Sequence, residues 1–390
     1  MEPGKNMKRR GFIKIVAAGS CFAFYPAVFS GCTPSATSQN LKSPATQETD
    51  IRLKLISYGM LAPNSHNIQP WLVKLTGAHQ FDLFVDQTRL LPETDPPSRQ
   101  IHISQGTFLE TLKIAASGLG YRVEVETFPL GQYSNMTIED KPVASIYLTP
   151  DAAVQQDPLF PYLQSRQSNK RVYGNRKIPR EELAQLQQNS QENGLATIFS
   201  DSPRVVEGLG SMLGKAMDIE TAGPDRHRET VDIFRFSEAE ALEKRDGFTL
   251  GNNGVTGLMR FLVETFFLGT REKAYATDSA FATEGVKMAY KQAASASAYG
   301  WIISKSNTRL SQVRSGELYT RINLLTASLG ISQHPMSQVL EEYEDMKELQ
   351  RECLILLRIP AGSTVQMLFR LGYADPVPHT RRRFAKEVIA

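Results

Sequence analysis

A short loop near residue 65 holds the side chains best suited to binding chemistry. Residues 62–71 read Ala-Pro-Asn-Ser-His-Asn-Ile-Gln-Pro-Trp, so that Ser65, Asn67 and Gln69 recur at every second position. A side-chain amide offers both a donor and an acceptor, and this spacing therefore suits a ligand edge that alternates the two functions. The two prolines restrict the backbone and would preorganise the loop. The structural alternative is a turn rich in Asn and Pro that only caps a helix.

Two basic segments indicate a second kind of chemistry, the recognition of an anion. Residues 166–171 read Arg-Gln-Ser-Asn-Lys-Arg, and residues 381–383 are three consecutive arginines. Guanidinium groups with a hydroxyl between them suit a phosphate dianion, because they donate several charge-assisted hydrogen bonds. The alternatives are a solvated run of charge for the first segment and a disordered basic tail for the second.

The three segments resemble those of the nitroreductase superfamily, whose members bind FMN. In the family's loop, Ser, Asn and Gln follow Ala-Pro and precede Pro-Trp, as they do here. Residues 166–171 resemble the family's Arg-Arg-Ser-x-Arg segment, with Gln167 in place of the second arginine. Residues 381–383 resemble its basic C-terminal end, with Phe384 in place of a proline. The resemblance implies nine FMN-binding residues: Ser65, Asn67, Gln69, Arg166, Ser168, Asn169, Arg171, Arg382 and Arg383.

The resemblance also implies roles for these residues. Asn67 and Gln69 would orient the flavin ring, and Ser65 would reach a ribityl or ring oxygen. Arg166 and Ser168 would hold the phosphate together with Arg382, the first choice at the C-terminal end, and Arg383, the second. No side chain is assigned as a catalytic acid or base, because the flavin itself carries the redox chemistry.

The periodicity of apolar residues predicts the elements that position these segments. A helix over 51–61 precedes the loop, and 104–118 and 311–329 carry the helical period. Further patterns predict strands at Trp71–Leu75, Phe81–Val85, Val143–Leu148, Tyr299–Ser304 and Val365–Tyr373, and helices at 180–191, 203–220 and 255–268.

An internal echo predicts two related lobes. Residues 106–120 align without a gap with residues 316–330, and both copies end on Leu-Gly, a usual helix stop. Each copy also follows a strand that contains a tryptophan. We therefore expect an α+β fold in which two fused lobes, residues 51–156 and 157–390, each have a mostly antiparallel sheet wrapped by helices.

The flavin motifs occur once each, so a single site is expected. The Ser-x-Asn-x-Gln loop lies in the first lobe, and the Arg-x-Ser segment opens the second. Family members are usually homodimers with a flavin at each interface, and this chain resembles the Acg-type branch, in which two lobes are fused and keep one flavin. The resemblance thus implies a pseudo-dimer with one FMN between the lobes, able to act as a monomer.

The expected function is FMN-dependent electron transfer from a reduced donor to a small-molecule acceptor. The alternative, which the Acg-type resemblance also supports, is a protein that stores or sequesters FMN without turnover. A scaffold that has lost its flavin is a third hypothesis.

The composition and the net charge limit the classes of partner that the chain is expected to bind. The chain has 390 residues, 41% hydrophobic and 22% charged, with a formal net charge of +3. Five basic residues and one acidic residue fall in the first 31, and the remainder carries 39 basic and 40 acidic side chains. The body is therefore nearly neutral, and no nucleic-acid partner is expected. The three cysteines have no spacing typical of a metal site, and none is expected.

Residues 1–32 have the pattern of an export signal. Lys8-Arg9-Arg10-Gly-Phe-Ile resembles a twin-arginine signal, and an apolar stretch from 13 to 29 follows it. Phe29-Ser30-Gly31-Cys32 resembles a lipoprotein cleavage box, with Cys32 as the lipidated residue. Residues 33–50, rich in Ser, Thr, Gln and Pro, predict a flexible linker. The expected location is the periplasm or the outer face of the cytoplasmic membrane; an uncleaved membrane anchor is the alternative.

Overall fold

The architecture was determined from a computed structural model that describes residues 48–190, 194–264 and 268–390. The predicted export signal, Cys32 and nearly all of the linker lie outside these residues. In chain order the helices are α1 (Ile51–Gly59), α2 (Arg99–Gly118), α3 (Arg180–Gln188), α4 (Pro203–Ala222), α5 (Pro224–Ile233), α6 (Glu238–Lys244), α7 (Gly257–Leu262), α8 (Arg271–Ala274), α9 (Ala280–Ala294), α10 (Arg309–Ser328) and α11 (Lys347–Leu356).

Eight strands form two antiparallel sheets of four. The strands are β1 (Trp71–Gly77), β2 (Gln80–Val85), β3 (Tyr121–Thr127), β4 (Ala144–Pro150), β5 (Leu195–Ser200), β6 (Ala298–Ser304), β7 (Ser332–Pro335) and β8 (Thr364–Gly372). The first sheet has the order β1-β2-β4-β3 and the second the order β5-β6-β8-β7. The α+β class with two antiparallel sheets wrapped by helices is therefore confirmed. No helix in the described parts of the chain is long and apolar enough to cross a membrane.

The two sheets repeat one pattern of elements. In each, a long helix lies between the second and third strands: α2 in the first and α10 in the second. The repeats differ between their first two strands, where β1 and β2 are joined by residues 78–79 but β5 and β6 are separated by residues 201–297. This inserted stretch holds α4 to α9. The boundary predicted at 156/157 stays a prediction.

Helices α2 and α10 pack directly against each other through two glycines. A Cβ on Gly106 would lie 1.8 Å from the carbonyl oxygen of Val313, and one on Gly316 would lie 1.9 Å from that of Ile103. Gly106 thus contacts the residue three positions before Gly316, and Gly316 contacts the residue three positions before Gly106. The two aligned sequence repeats, residues 106–120 and 316–330, therefore lie on helices that contact each other reciprocally through these glycines.

Three details of the sequence-based prediction are corrected. Trp71 lies on the first strand of its sheet but Trp301 on the second strand of the other, so the two tryptophans are not equivalent. The helix predicted at 255–268 is shorter, because Gly257 has φ = +62° and starts α7 there. Strands β3, β5 and β7 were not predicted.

Candidate functional site

The loop of residues 62–71 is held in a strained conformation by its neighbours. His66, Asn67 and Gln69 have φ values of 48°, 58° and 56°, a region that side chains other than glycine seldom adopt. Helix α2 supports the loop, because Thr107 Oγ1 donates to the carbonyl of Pro63 at 2.6 Å. Trp71 at the start of β1 is fully buried. Strain of this kind persists only where the surroundings fix it, and it often marks a functional site.

The C-terminal arginines contact this loop. Arg382 Nη1 donates to Asn67 Oδ1, and the backbone N–H of Arg383 donates to Gln69 Oε1 at 2.8 Å. The guanidinium of Arg383 also donates to the carbonyl of Gln69 at 2.6 Å and lies 3.6 Å from a carboxylate oxygen of Asp86. Residues more than 310 positions apart in the sequence are therefore neighbours in the fold.

Arg166 brings the third segment to the same place. Its guanidinium donates to the carbonyl of Leu61, just before the loop, and to Asn323 Oδ1 on α10, both at 2.9 Å. Burial, together with a smaller effect from the neighbouring Arg166, lowers the pKa of Arg382 to about 9. Burial also lowers the pKa of Arg166 to about 10. Residues 62–71, 166–171 and 381–383 therefore lie close together in the fold.

The guanidiniums of Arg166 and Arg382 lie near each other at this loop. Neither Arg166 nor Arg382 forms an ion pair within the described residues. His379 lies close enough that both arginines depress the pKa of its imidazole, after burial as the main cause. An unpaired guanidinium is costly to bury, because it loses its hydration without gaining a counter-ion. The arrangement is therefore suited to an anionic ligand.

Lys170 adds a further cation that the sequence-based list of site residues omitted. Its ammonium lies 4.1 Å from the centre of the Phe248 ring, and the His66 and Phe248 rings are 6.1 Å apart. Burial lowers the pKa of Lys170 to about 8, partly offset by Glu220. The alternation of Arg166, Ser168 and Lys170 along an extended segment was the signal that could have identified it.

The other predicted FMN-binding residues differ in their contacts with the rest of the protein. Ser168 is half-buried between Arg166 and Asn169. The Asn169 amide donates to the carbonyl of Asp375 at 2.9 Å and so holds the chain rather than facing open space. Arg171 donates to the carbonyl of Gly254 at 2.9 Å, while its buried Nε has no partner. The backbone N–H of Ser65 donates to Ser104 Oγ at 3.3 Å.

Residues 245–247 from the inserted stretch also pack on the loop, and no sequence signal indicated them. Asn67 Nδ2 donates to the carbonyls of Gly247 at 2.8 Å and Arg381 at 3.0 Å. Gln69 Nε2 donates to the carbonyl of Arg245 at 2.8 Å and to that of Asn67 at 3.2 Å. Both amide nitrogens are thus fully used within the protein, and donation from either to a ligand requires exchange of one of these bonds.

We expect Lys170 to impose a measurable pH dependence on stability. Its folded pKa of about 8 lies below the ordinary value of 10.5, so between these values the unfolded chain holds more protons. The contribution of Lys170 to the free energy of unfolding therefore rises as the pH increases through this window. Urea unfolding of the ligand-free protein can be compared at about pH 7.5 and about pH 9.5. Between these values the free energy of unfolding of wild type should rise relative to that of Lys170→Met. Parallel changes in the two proteins would contradict the assignment.

Relatives of this chain in sequence carry nitroreductase names. No protein-family model matches the chain. A Mycobacterium tuberculosis protein named "Putative NAD(P)H nitroreductase" is 23% identical over 370 residues, which are 93% of this chain and 96% of that protein. A second protein of that organism, "Putative NAD(P)H nitroreductase acg", is 32% identical over 81 residues, 21% of this chain and 24% of that protein.

Solved structures show a more distant likeness. A nitroreductase with bound FMN from Desulfitobacterium hafniense is 11% identical, with a TM-score of 0.35, and the match covers 57% of this chain and 94% of that one. The sequence similarity to the first of these M. tuberculosis proteins spans nearly the whole chain.

Proposed function

We propose that this protein is an FMN-dependent oxidoreductase of the nitroreductase type. The observation that carries the proposal is the meeting of Arg166 and Arg382 at the strained loop of residues 62–71, where neither guanidinium has an ion pair in the described part of the chain. A terminal phosphate is the ligand group that this arrangement fits best. The names of the M. tuberculosis relatives support the same chemistry.

The residues present fit FMN in different ways. Arg166 and Arg382 would hold the phosphate, with the His379 imidazole beside them and Ser168 able to donate a hydroxyl. Asn67 and Gln69 would present their amides to the ring edge once a bond to residues 245–247 or 381 is exchanged. When bound, FMN supplies the electron transfer between a reduced donor and an acceptor. The protein's part is to bind, orient and shield it.

The electron donor is proposed to be a reduced nicotinamide or another small reductant, and the acceptor a small molecule. Both lobes belong to one chain, so a monomer could hold a complete site, as the pseudo-dimer hypothesis requires. The arginines and the loop come from segments 105 to 315 positions apart within that chain.

Anaerobic titration of the purified, FMN-loaded protein with NADPH tests the proposal. Bleaching of the flavin absorbance, followed by reoxidation with a nitroaromatic acceptor, is the expected result. A flavin that is bound tightly but is not reduced by NADPH, by NADH or by another small reductant would instead support the FMN-sequestering alternative. A protein that binds no FMN would contradict both.

Replacement of Asn67 by alanine is expected to weaken FMN binding by about 1–3 kcal/mol, or roughly 5- to 150-fold in Kd. The Asn67 amide accepts from Arg382 and donates to the carbonyls of residues 247 and 381. Its loss therefore removes contacts that hold both the arginine and these two backbone segments. Fluorescence titration with FMN provides the measurement. Asn189→Ala is the control and should leave Kd unchanged, because this exposed amide donates to the Gln185 carbonyl of its own helix, away from the site. Equal affinities in the two variants would remove Asn67 from the site.

Export is proposed separately, on the sequence of residues 1–32. The twin-arginine pattern and the box ending at Cys32 support transport of the folded protein and attachment by a lipid at the outer face of the cytoplasmic membrane. Fractionation of cells that make wild type, Arg9→Lys/Arg10→Lys and Cys32→Ala tests it. Wild type should be membrane-associated, the double variant should stay in the cytoplasm, and Cys32→Ala should be exported but released.

A further inference from the structure

Arg370 is a charged side chain in the middle of a sheet. It lies on β8 and is fully buried. All five N–H groups of its guanidinium have acceptors, which is the full donor capacity of an arginine. The acceptors are His334 Nδ1 at 3.1 Å, the Gln292 carbonyl at 2.9 Å, Ser295 Oγ at 3.1 Å, the Arg171 carbonyl at 2.6 Å and the Asn169 carbonyl at 3.5 Å.

Two of these acceptors belong to the basic segment of the candidate site. The carbonyls of Asn169 and Arg171 flank Lys170, and Tyr173 Oη donates to the Asn169 carbonyl as well, at 3.0 Å. The Tyr173 ring also lies against the Arg370 guanidinium, 3.8 Å from its centre. The backbone on both sides of Lys170 is therefore fixed from the core of the second sheet.

The charge of Arg370 has no carboxylate partner within the described residues, so its hydrogen bonds are what make its burial tolerable. The Nδ1 atom of His334 accepts from Arg370 and must be unprotonated. Burial, followed by the charge of Arg370, keeps the pKa of His334 well below its ordinary value. A guanidinium with every donor satisfied is rigid, and it can fix the carbonyls that it binds.

We propose that Arg370 is a positioning residue for the anion-binding segment 166–171. It holds the backbone of residues 169–171 so that Ser168 and Lys170 project toward the cofactor, and thereby contributes to the preference for FMN over riboflavin. The inference rests on the proposed function. It predicts that loss of Arg370 selectively weakens the recognition of the phosphate-bearing ligand.

The ratio of FMN to riboflavin affinity is the readout, because loss of global stability alone does not change which of two ligands is preferred. In the full chain, Arg370→Lys keeps the charge but can satisfy only some of the acceptors. We expect the ratio to fall roughly tenfold or more. Arg309→Lys is the matched control: Arg309 is equally buried and donates to the carbonyls of Pro97, Ser134 and Thr137, away from the site. Its ratio should equal that of wild type.

A milder pair of variants covers the case in which Arg370→Lys does not fold. Tyr173→Phe removes the hydroxyl bond to Asn169, and Tyr299→Phe removes a similar bond to the Ala293 carbonyl at 2.8 Å in the same region of the fold. Only Tyr173→Phe should lower the ratio, by roughly two- to fivefold. Unchanged ratios in both Arg370→Lys and Tyr173→Phe would overturn the inference, as would equal losses in their controls. Absence of FMN binding by wild type would instead overturn the proposed function.

Discussion

Alanine at Gly106 or at Gly316 is expected to destabilise the protein by about 3 kcal/mol or more, the largest effect of any single substitution considered. Each added Cβ would lie within 2 Å of a backbone carbonyl oxygen on the facing helix, at 1.8 Å for Gly106 and 1.9 Å for Gly316. A backbone atom cannot move aside as a flexible side chain can, so α2 and α10 would have to separate. Loss of packing along the contact between the two repeats is the expected consequence.

Urea unfolding measures this effect, with Gly285→Ala as the matched control. Gly285 lies on α9, is exposed, and has open space where its Cβ would be placed. Alanine there should stabilise the protein by about 0.5–1 kcal/mol, because alanine favours the helical backbone. Unfolding free energies for Gly106→Ala and Gly316→Ala close to that of Gly285→Ala would contradict the close contact.

Methionine at Arg166 or Arg382 should have the second large effect, on ligand binding. Each arginine is expected to donate charge-assisted hydrogen bonds to the phosphate, and its loss should raise the Kd for FMN roughly 10- to 150-fold. Riboflavin, which lacks the phosphate, should bind nearly as it does to wild type. Arg314→Met, at an exposed position on α10, removes the same charge without touching the site and should leave both affinities unchanged.

The same substitution at Arg382 should stabilise the ligand-free protein. Burial and the nearby Arg166 lower the pKa of Arg382 to about 9, so its charge opposes folding when no anion is present. Arg382→Met removes that repulsion and should raise Tm while weakening FMN binding. A variant that loses both stability and FMN affinity would indicate that Arg382 is mainly a structural residue.

The sequence predicted the local parts of the site because their signals are contiguous. The loop of residues 62–71 and the two basic segments are each short motifs, and the structure brings all three together. The helical patterns at 104–118 and 311–329 predicted most of α2 and α10, which begin at Arg99 and Arg309. Whether these motifs bind FMN is a prediction that the binding measurements decide.

Long-range packing accounts for what the sequence did not predict. Gly247 meets Asn67 across 180 residues, and nothing in residues 245–247 distinguishes them from an ordinary turn after α6. Residues 201–297 are inserted between β5 and β6, and the spacing of sequence motifs alone did not locate this insertion. Strand β3 is different, because Tyr121, Val123 and Val125 alternate with charged residues, and this period-two signal of a half-buried strand was missed.

Equilibrium binding of FMN and riboflavin to the full-length wild-type protein tests the central claim most directly. The account predicts that FMN binds at least roughly a hundredfold more tightly than riboflavin, because the guanidiniums of Arg166 and Arg382 recognise the phosphate. It also predicts that most of this preference is lost in Arg166→Met/Arg382→Met. Equal affinities for the two ligands in wild type, or no binding of either, would contradict the assignment of this site.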